Sequence, residues 1–165
     1  MNNPRGPGDL IVRIDVAATA LFAVTAITAA ILFDGVAMTI AAVVALVLFF
    51  VGIAAFLWSF WNAVQRSRGE QVAVTQLYLL AGGVAPRSVR APMLIALAVQ
   101  CAVALVTAIS RPNSPDGSPG NSLALGVLVP LFGFGMNGLW AAFHGRYRDR
   151  VSKNESTTDQ NESHG

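Results

Sequence analysis

Charged residues divide this chain into four long apolar segments. No Asp, Glu, Lys or Arg occurs in residues 16–33, 36–65, 91–110 or 122–145. Each run is close to or above the length of about 20 apolar residues that a helix needs to cross a hydrocarbon core of ~30 Å. The pattern therefore predicts an all-α membrane protein with four transmembrane helices.

The boundaries of these helices follow from the ends of the apolar runs. The spans are placed at residues 12–33, 36–62, 91–110 and 122–145, within a transmembrane domain of residues 11–145. Residues 1–10 are predicted to be a flexible leader, and residues 146–165 a basic flank followed by a disordered polar tail. A cleaved signal peptide is disfavoured because the first apolar run exceeds the usual length of about 7–15 residues.

The loop between spans two and three, residues 63–90, contains a shorter apolar stretch. It runs from Val72 to Leu80, too short to cross a bilayer, and Gly82 and Gly83 follow it. We expect an interfacial helix ended by these glycines, or a shallow re-entrant segment. A loosely packed loop is the alternative, because the stretch shows neither a helical stripe nor strict alternation.

Basic residues are concentrated on one side of the predicted bundle. Ten of the 11 Lys and Arg residues fall in the N-terminus, the loop 63–90 or the C-terminus, and Arg111 alone falls in an opposite loop. Because Lys and Arg accumulate in cytoplasmic loops, both termini and the loop 63–90 are predicted to be cytoplasmic. There the basic rim would meet anionic lipid headgroups. This rim consists of Arg66, Arg68, Arg87, Arg90, Arg146, Arg148 and Arg150.

Composition supports the membrane class and narrows the partners. Hydrophobic residues make up 54% of the chain and charged residues 12%, roughly half the charged share of about 25% in soluble domains. The single cysteine, Cys101, lies within a span, so no disulfide framework is predicted. Topology and lipid account for the basic excess, and no nucleic-acid partner is expected.

Span four carries GFGMNG at residues 133–138, a literal match to the dinucleotide-binding fingerprint G-x-G-x-x-G. That fingerprint requires a strand before it and a further strand after its helix, whereas the 27 residues after Gly138 complete the apolar run and turn to a basic flank and a polar tail. The glycines are therefore assigned to helix packing, because small residues let helices approach closely. Pro130 predicts a bend. The packing positions are Gly126, Gly133, Gly135, Gly138 and Ala142.

Two amide side chains interrupt the last two spans. Gln100 lies seven residues after Met93, and Asn137 lies seven residues before His144. At 1.5 Å per residue both lie roughly 10 Å from the predicted cytoplasmic ends of antiparallel helices. We hypothesise a hydrogen bond between them that holds spans three and four together, with an effect of about 0.6–2 kcal/mol. A polar pathway is the alternative role.

No catalytic or metal-binding constellation is predicted. Asp15 is placed at the mouth of span one and Asp34 in the outer turn, so no span is expected to hold a carboxylate well inside the membrane. Cys101 has no histidine at its depth, and His144 has no second metal ligand. The prediction is a non-enzymatic protein without a cofactor. Ion-coupled transport by the monomer is disfavoured, because it normally requires an intramembrane carboxylate.

Three stretches carry a resemblance to known proteins: GVLVPLFGFGMNGLWAAFHGRY, FLWSFWNAVQRSR and APRSVRAP. Together they resemble small four-span bacterial membrane proteins of high-GC Gram-positive type, which have no established function. The resemblance implies a plasma-membrane location and supplies no active site to transfer.

The functional expectation is correspondingly general. The leading interpretation is an accessory or scaffold protein whose helix surfaces bind a membrane-protein partner or a second copy. The alternative is a small transporter or channel component that works as an oligomer. A lipid-modifying enzyme ranks third, because no paired acid and base occur at the cytoplasmic rim.

Overall fold

The computed structural model describes residues 8–114, 117 and 121–149. The helices are α1 (Asp9–Leu32), α2 (Gly35–Arg66), α3 (Val74–Tyr78), α4 (Arg87–Ser110) and α5 (Pro130–His144), with a 3₁₀ helix at Ser122–Leu128 before α5. Two two-residue strands, β1 (Glu70–Gln71) and β2 (Arg148–Asp149), pair antiparallel. Four long apolar helices are confirmed, because α1, α2, α4 and the segment Ser122–His144 are each long and apolar enough to cross a membrane.

The bundle has an apolar outer surface and polar side chains in its interior. Outward-facing residues such as Ile31 and Ile109 are 71% and 75% exposed. By contrast, Asp15, Gln100 and Asn137 are fully buried. A large exposed apolar surface is disfavoured in water and suits contact with lipid chains.

A tight turn joins α1 to α2. Phe33 closes α1 in the left-handed conformation, with φ 51°. The Asp34 side chain then caps α2 by accepting from the backbone N–H groups of Val36 at 2.9 Å and Ala37 at 2.8 Å. This N-cap satisfies donors that a helix start leaves free, so α2 begins at once and returns antiparallel to α1.

The fourth long segment changes its helix type at Pro130. Asn121 caps the 3₁₀ helix by accepting from the Leu123 N–H at 2.6 Å, and α5 then begins at Pro130. Proline lacks an N–H group and suits the first turn of an α-helix. The bend predicted at this residue takes the form of a 3₁₀-to-α transition.

The antiparallel helices give the bundle two chemically different ends. At one end Arg66 donates to the Ala142 carbonyl at 2.9 Å, and the Arg146 N–H donates to Val84 O at 3.1 Å. We call this the basic end; it comprises the start of α1, the end of α2, residues 67–90 and the end of α5. At the opposite or turn end, Arg111 Nε donates to the Ala30 carbonyl at 3.1 Å.

The chain between α2 and α4 folds into the basic end of the bundle. Leu77, Leu80 and Val84 are 2%, 0% and 2% exposed, respectively. After α3 the chain reverses through Gly82 and Gly83, whose φ values of 67° and 81° lie in the left-handed region that glycine adopts without strain. The alternative of a loosely packed loop is therefore wrong, because Leu77, Tyr78 and Leu80 are buried in the core that includes α5, while Val74 and Leu79 face outward.

Candidate functional site

Polar side chains within the bundle fall into two groups. Ser59 and Thr107 donate to backbone carbonyls of their own helices, at 2.8 Å each. The other four make contacts between elements; they are Asp15, Thr19, Gln100 and Asn137. Buried polar groups of this second kind are costly in lipid and tend to mark functional positions.

Asp15, Thr19 and Gln100 form one cluster, which we call the acid–amide site. Asp15 and Thr19 lie four residues apart on one face of α1. The Gln100 Nε2 group on α4 donates to Thr19 Oγ1 at 2.7 Å and to Asp15 Oδ1 at 3.4 Å. The site therefore joins α1 to α4 through side chains alone.

The third wall of the acid–amide site is the backbone of α5 at Gly133. A Cβ at this position would lie 2.6 Å from Gln100 Oε1 and 3.0 Å from a methyl group of Leu97. The amide oxygen thus rests against a helix surface that has no side chain. Any larger residue at 133 would displace Gln100 from Thr19 and Asp15.

The acid–amide site contains oxygen atoms without donors. Asp15 Oδ2 and Gln100 Oε1 are both buried and have no hydrogen-bond partner among the described residues. A buried acceptor left unpaired costs about 1–3 kcal/mol, and more when it belongs to a charged group. The pair of unpaired oxygens therefore calls for a hydrogen-bond donor or a positive charge.

Asn137 makes a different contact, with the chain that folds into the basic end. Its Nδ2 group donates to the Tyr78 carbonyl at 2.9 Å, and its Oδ1 atom has no partner among the described residues. Gln100 Oε1 is likewise unpaired. The hypothesised hydrogen bond between Gln100 and Asn137 is therefore wrong, because each amide donates elsewhere and neither amide oxygen accepts.

Asp15, placed by the sequence at the mouth of span one, is buried inside the helix bundle. The residue lies six positions inside α1, about 9 Å along the helix from Asp9. It is completely buried and is hydrogen-bonded to Gln100, which lies in the middle of α4. The bundle therefore does hold a carboxylate within one of its four candidate spans.

A line of residues on α5 connects the acid–amide site to the basic end. Gly133, Asn137, Trp140 and His144 follow spacings of four, three and four, and so share one helix face. Trp140 Nε1 is buried without a partner among the described residues. Next to it lies a cavity of about 390 Å³, lined by Gly83, Val84, Pro86, Trp140, His144 and Arg146.

The other small residues of the fourth segment lie at helix contacts. A Cβ at Gly135 would lie 2.6 Å from the Gly52 carbonyl of α2, and one at Gly138 would lie 2.5 Å from Ser59 Oγ. Gly126 is less crowded, with 3.3 Å to the Phe22 ring. Ala142 is buried, and its carbonyl accepts from Arg66. GFGMNG thus lies wholly within α5, where no strand–turn–helix cradle exists.

Among the basic residues, Arg66 has a role different from the one predicted. Its guanidinium donates to Ala142 O at 2.9 Å and Glu70 Oε1 at 3.2 Å and lies 5.0 Å from the centroid of the Tyr147 ring. Arg66 therefore binds the end of α5 rather than facing lipid. Arg68, Arg87, Arg90 and Arg146 are exposed. The Arg148 side chain and Arg150 lie outside the described part, as do residues 1–7 and 150–165.

Tyr147 completes the contacts of Arg66. Burial raises the pKa of its phenol to about 12; the nearby Arg66 charge opposes this increase and the Glu70 charge adds to it. The hydroxyl consequently keeps its proton at neutral pH and donates to the Ala141 carbonyl at 3.2 Å. These contacts hold the chain after α5 against the end of α2.

Three positions important for the site or its packing were not predicted: Asp15, Thr19 and Gly52. A signal for the first two is present in α1, where the buried residues recur at spacings of three and four. They are Val12, Asp15, Thr19, Phe22, Ala26 and Ala29. This stripe places Asp15 and Thr19 on the inward face of the helix. For Gly52 the signal is that it is the single glycine between Val36 and Gln65.

The described residues contain no group of three or more His, Cys, Asp and Glu side chains suited to hold a metal ion. Comparison of the chain with protein-family models, curated proteins and solved structures finds no match. The function is therefore inferred from the geometry of the bundle and its acid–amide site.

Proposed function

We propose that this chain is a multi-pass protein of the bacterial plasma membrane whose basic end faces the cytoplasm. The support for this orientation is that ten of the 11 basic residues belong to the chain termini or the loop 63–90, as the positive-inside bias requires. Exposed Arg68, Arg87 and Arg90 would then contact the anionic headgroups of the inner leaflet. The bacterial location rests on the family resemblance.

Cysteine labelling in intact cells tests this orientation. In a Cys101→Ala background, we expect a membrane-impermeant maleimide to label Asn113→Cys at the turn end and to leave Gly69→Cys at the basic end unlabelled. Both positions are exposed, and a side chain at Gly69 would meet nothing within 4 Å. After the cells are lysed, both variants should be labelled. Labelling of Gly69→Cys alone in intact cells would show the opposite orientation.

Within that membrane we propose a transport role, as a small transporter or channel component that holds the passing species at the acid–amide site. The observation that carries this proposal is the fully buried Asp15 carboxyl, whose Oδ2 atom lacks a donor. An ionisable side chain inside a membrane span is costly and commonly belongs to an ion or proton pathway. A cavity at the basic end lies beside Trp140 and His144, on the face of α5 that also carries Gly133.

This proposal reverses the preference between the two functions expected from the sequence. Ion-coupled transport by the monomer is disfavoured from the sequence because no span is expected to contain a carboxylate well inside the membrane. With Asp15 buried between α1 and α4, that reason no longer applies. A scaffold needs only outward-facing helix surfaces, so it has no use for unpaired acceptor oxygens inside the bundle. A transport site, by contrast, needs buried polar groups to which the bound species can hydrogen-bond.

Flux through reconstituted vesicles tests the transport role. Full-length protein would be reconstituted into vesicles that contain a pH-sensitive dye, or dyes sensitive to Na⁺ or K⁺, and a gradient of each ion would be imposed in turn. We expect the wild type to raise the flux of one ion above that of empty vesicles. Asp15→Asn should lower it to the empty-vesicle level, because the substitution removes the ionisable group.

The matched control is Asp9→Asn in the same helix. Asp9 is partly exposed and forms an ion pair with Arg13 at 3.2 Å, outside the acid–amide site. This variant should keep the wild-type flux. If the wild type conducts none of the three ions above background, or if both variants lose flux equally, the transport role of Asp15 is contradicted and the scaffold function is favoured.

A further inference from the structure

The acid–amide site lacks one hydrogen atom, and we propose that it is a proton-binding site. Gln100 Nε2 already donates to Asp15 Oδ1, while Asp15 Oδ2 and Gln100 Oε1 both lack a donor. A proton on Oδ2 converts that oxygen from an acceptor into a donor. The O–H group can then donate to Gln100 Oε1, so that acid and amide form a ring of two hydrogen bonds. One proton thereby satisfies both unpaired atoms.

Among the described residues no donor, the Thr19 hydroxyl included, makes a hydrogen bond to either of these atoms. Gly133, which lies against Gln100 Oε1, has no side chain, and the backbone N–H groups within α5 are used in the helix itself. One hydrogen of the Asn137 amide goes to the Tyr78 carbonyl, and the amide makes no hydrogen bond to Asp15 Oδ2 or Gln100 Oε1. The missing hydrogen must therefore come from Asp15 itself or from a guest.

Within the part of the chain that the structure describes, no positive side chain forms an ion pair with Asp15. On α1, Arg13 forms an ion pair with Asp9, and on α2, Arg66 bonds to Glu70. On α4, Arg87 and Arg90 precede Gln100 by 13 and 10 residues, or roughly 20 and 15 Å of helix.

The remaining titratable groups on elements packed against α1 are also separated from the carboxyl. On α5, His144 lies 11 residues beyond Gly133, about 16 Å along the helix, and stacks near Trp140. Cys101 follows Gln100 in the chain and so points about 100° away from it around α4. The 3₁₀ segment Ser122–Leu128 carries no charged residue. Among the described groups, therefore, only a proton on the Asp15 carboxyl itself can neutralise its charge.

Release of the proton changes the stability of the site. The O–H bond at Oδ2 breaks, its electron pair stays on the carboxylate, and the proton passes to water. The carboxylate charge and the Gln100 Oε1 atom are then both left without a donor in a medium of low dielectric constant, which is strongly unfavourable. The site therefore favours the protonated form of Asp15.

The proton site rests on the proposed transport role, because the proton would be the species held there. The protonation state of Asp15 can nevertheless be measured separately from ion flux. Infrared spectra of the reconstituted full chain, labelled with ¹³C-aspartate, should show a protonated-carboxyl C=O band at neutral pH. The band should persist in Asp9→Asn and be lost in Asp15→Asn. Raising the pH should convert the wild-type band to carboxylate absorption.

Each result of this experiment decides the inference. Absence of a protonated aspartate band in the labelled wild type overturns it without reliance on any variant, as does a band that Asp15→Asn retains. Loss of the band on addition of Na⁺ or K⁺ at constant pH would show that an alkali cation displaces the proton as the held species, and would overturn the assignment. A protonated Asp15 without ion flux would retain the proton site and contradict only the transport role.

Discussion

Replacing Gly52 by alanine is expected to destabilise the bundle by about 2 kcal/mol, within the usual range for overpacking. A Cβ at this position would lie 2.6 Å from both the Cα and the N of Phe132, and 2.9 Å from the Leu131 carbonyl carbon. These neighbours are backbone atoms, so no side chain can rotate away. The overlap can be relieved only if α2 moves away from α5. These two helices form the most extensive contact of the bundle, so their separation is costly.

Gly35→Ala is the matched control for this prediction, because it makes the same change in the same helix where nothing lies within 4 Å of the added carbon. Alanine is the better helix former, so this variant should be unchanged or more stable by up to about 1 kcal/mol. Unfolding in detergent, followed by circular dichroism, measures both variants. Equal stability of Gly52→Ala and wild type would mean that α2 and α5 do not approach as closely as this structure shows.

The four long helices could be predicted because the cost of a charge in lipid leaves a clear pattern of uncharged runs. The residues at which the helices end were harder to predict from the sequence. The helix α2 continues to Arg66 rather than residue 62, because Arg66 binds the end of α5, a contact distant in sequence. Likewise, the 3₁₀ start of the fourth segment depends on the Asn121 cap and Pro130 acting together.

The acid–amide site was only half visible in the sequence. Gln100 is conspicuous as a long amide within an apolar run, but its partner is set by the rotation of α4 about its axis, which the run does not define. Asp15 is placed at the mouth of span one because it lies close to the start of the first apolar run. In the structure α1 begins at Asp9, so the helix carries Asp15 inward while Arg13 remains exposed.

The Asn137 contact could not be predicted for a related reason. Its partner is a backbone carbonyl, that of Tyr78, on a stretch that reverses into the bundle. Backbone carbonyls are present at every position, so sequence does not indicate which one a buried amide will meet. Here the contact depends on how residues 72–86 fold against α5.

Asp15→Asn is expected to remove a pH dependence of stability that the wild type shows as the pH rises above about 4, the ordinary pKa of an aspartate. On the proton-site proposal, the folded wild type holds a proton that the unfolded carboxyl has released at neutral pH. Unfolding therefore releases a proton, so the stabilisation is present at low pH and lost as the pH rises. The free energy of unfolding should fall by up to about 1.4 kcal/mol per pH unit.

The asparagine variant should escape this loss because its amide imitates the protonated acid. The new Nδ2 group can donate to Gln100 Oε1 while the new Oδ1 atom accepts from Gln100 Nε2, and neither bond depends on pH. Thermal unfolding in detergent from about pH 4 to alkaline pH should therefore show the variant overtaking the wild type as the pH rises. Asp9→Asn should follow the wild-type curve, since Asp9 is outside the site. Parallel curves for Asp15→Asn and wild type would mean that Asp15 binds no extra proton on folding. A variant that is less stable than the wild type at every pH would mean that the negative charge of Asp15, rather than a shared proton, holds α1 to α4.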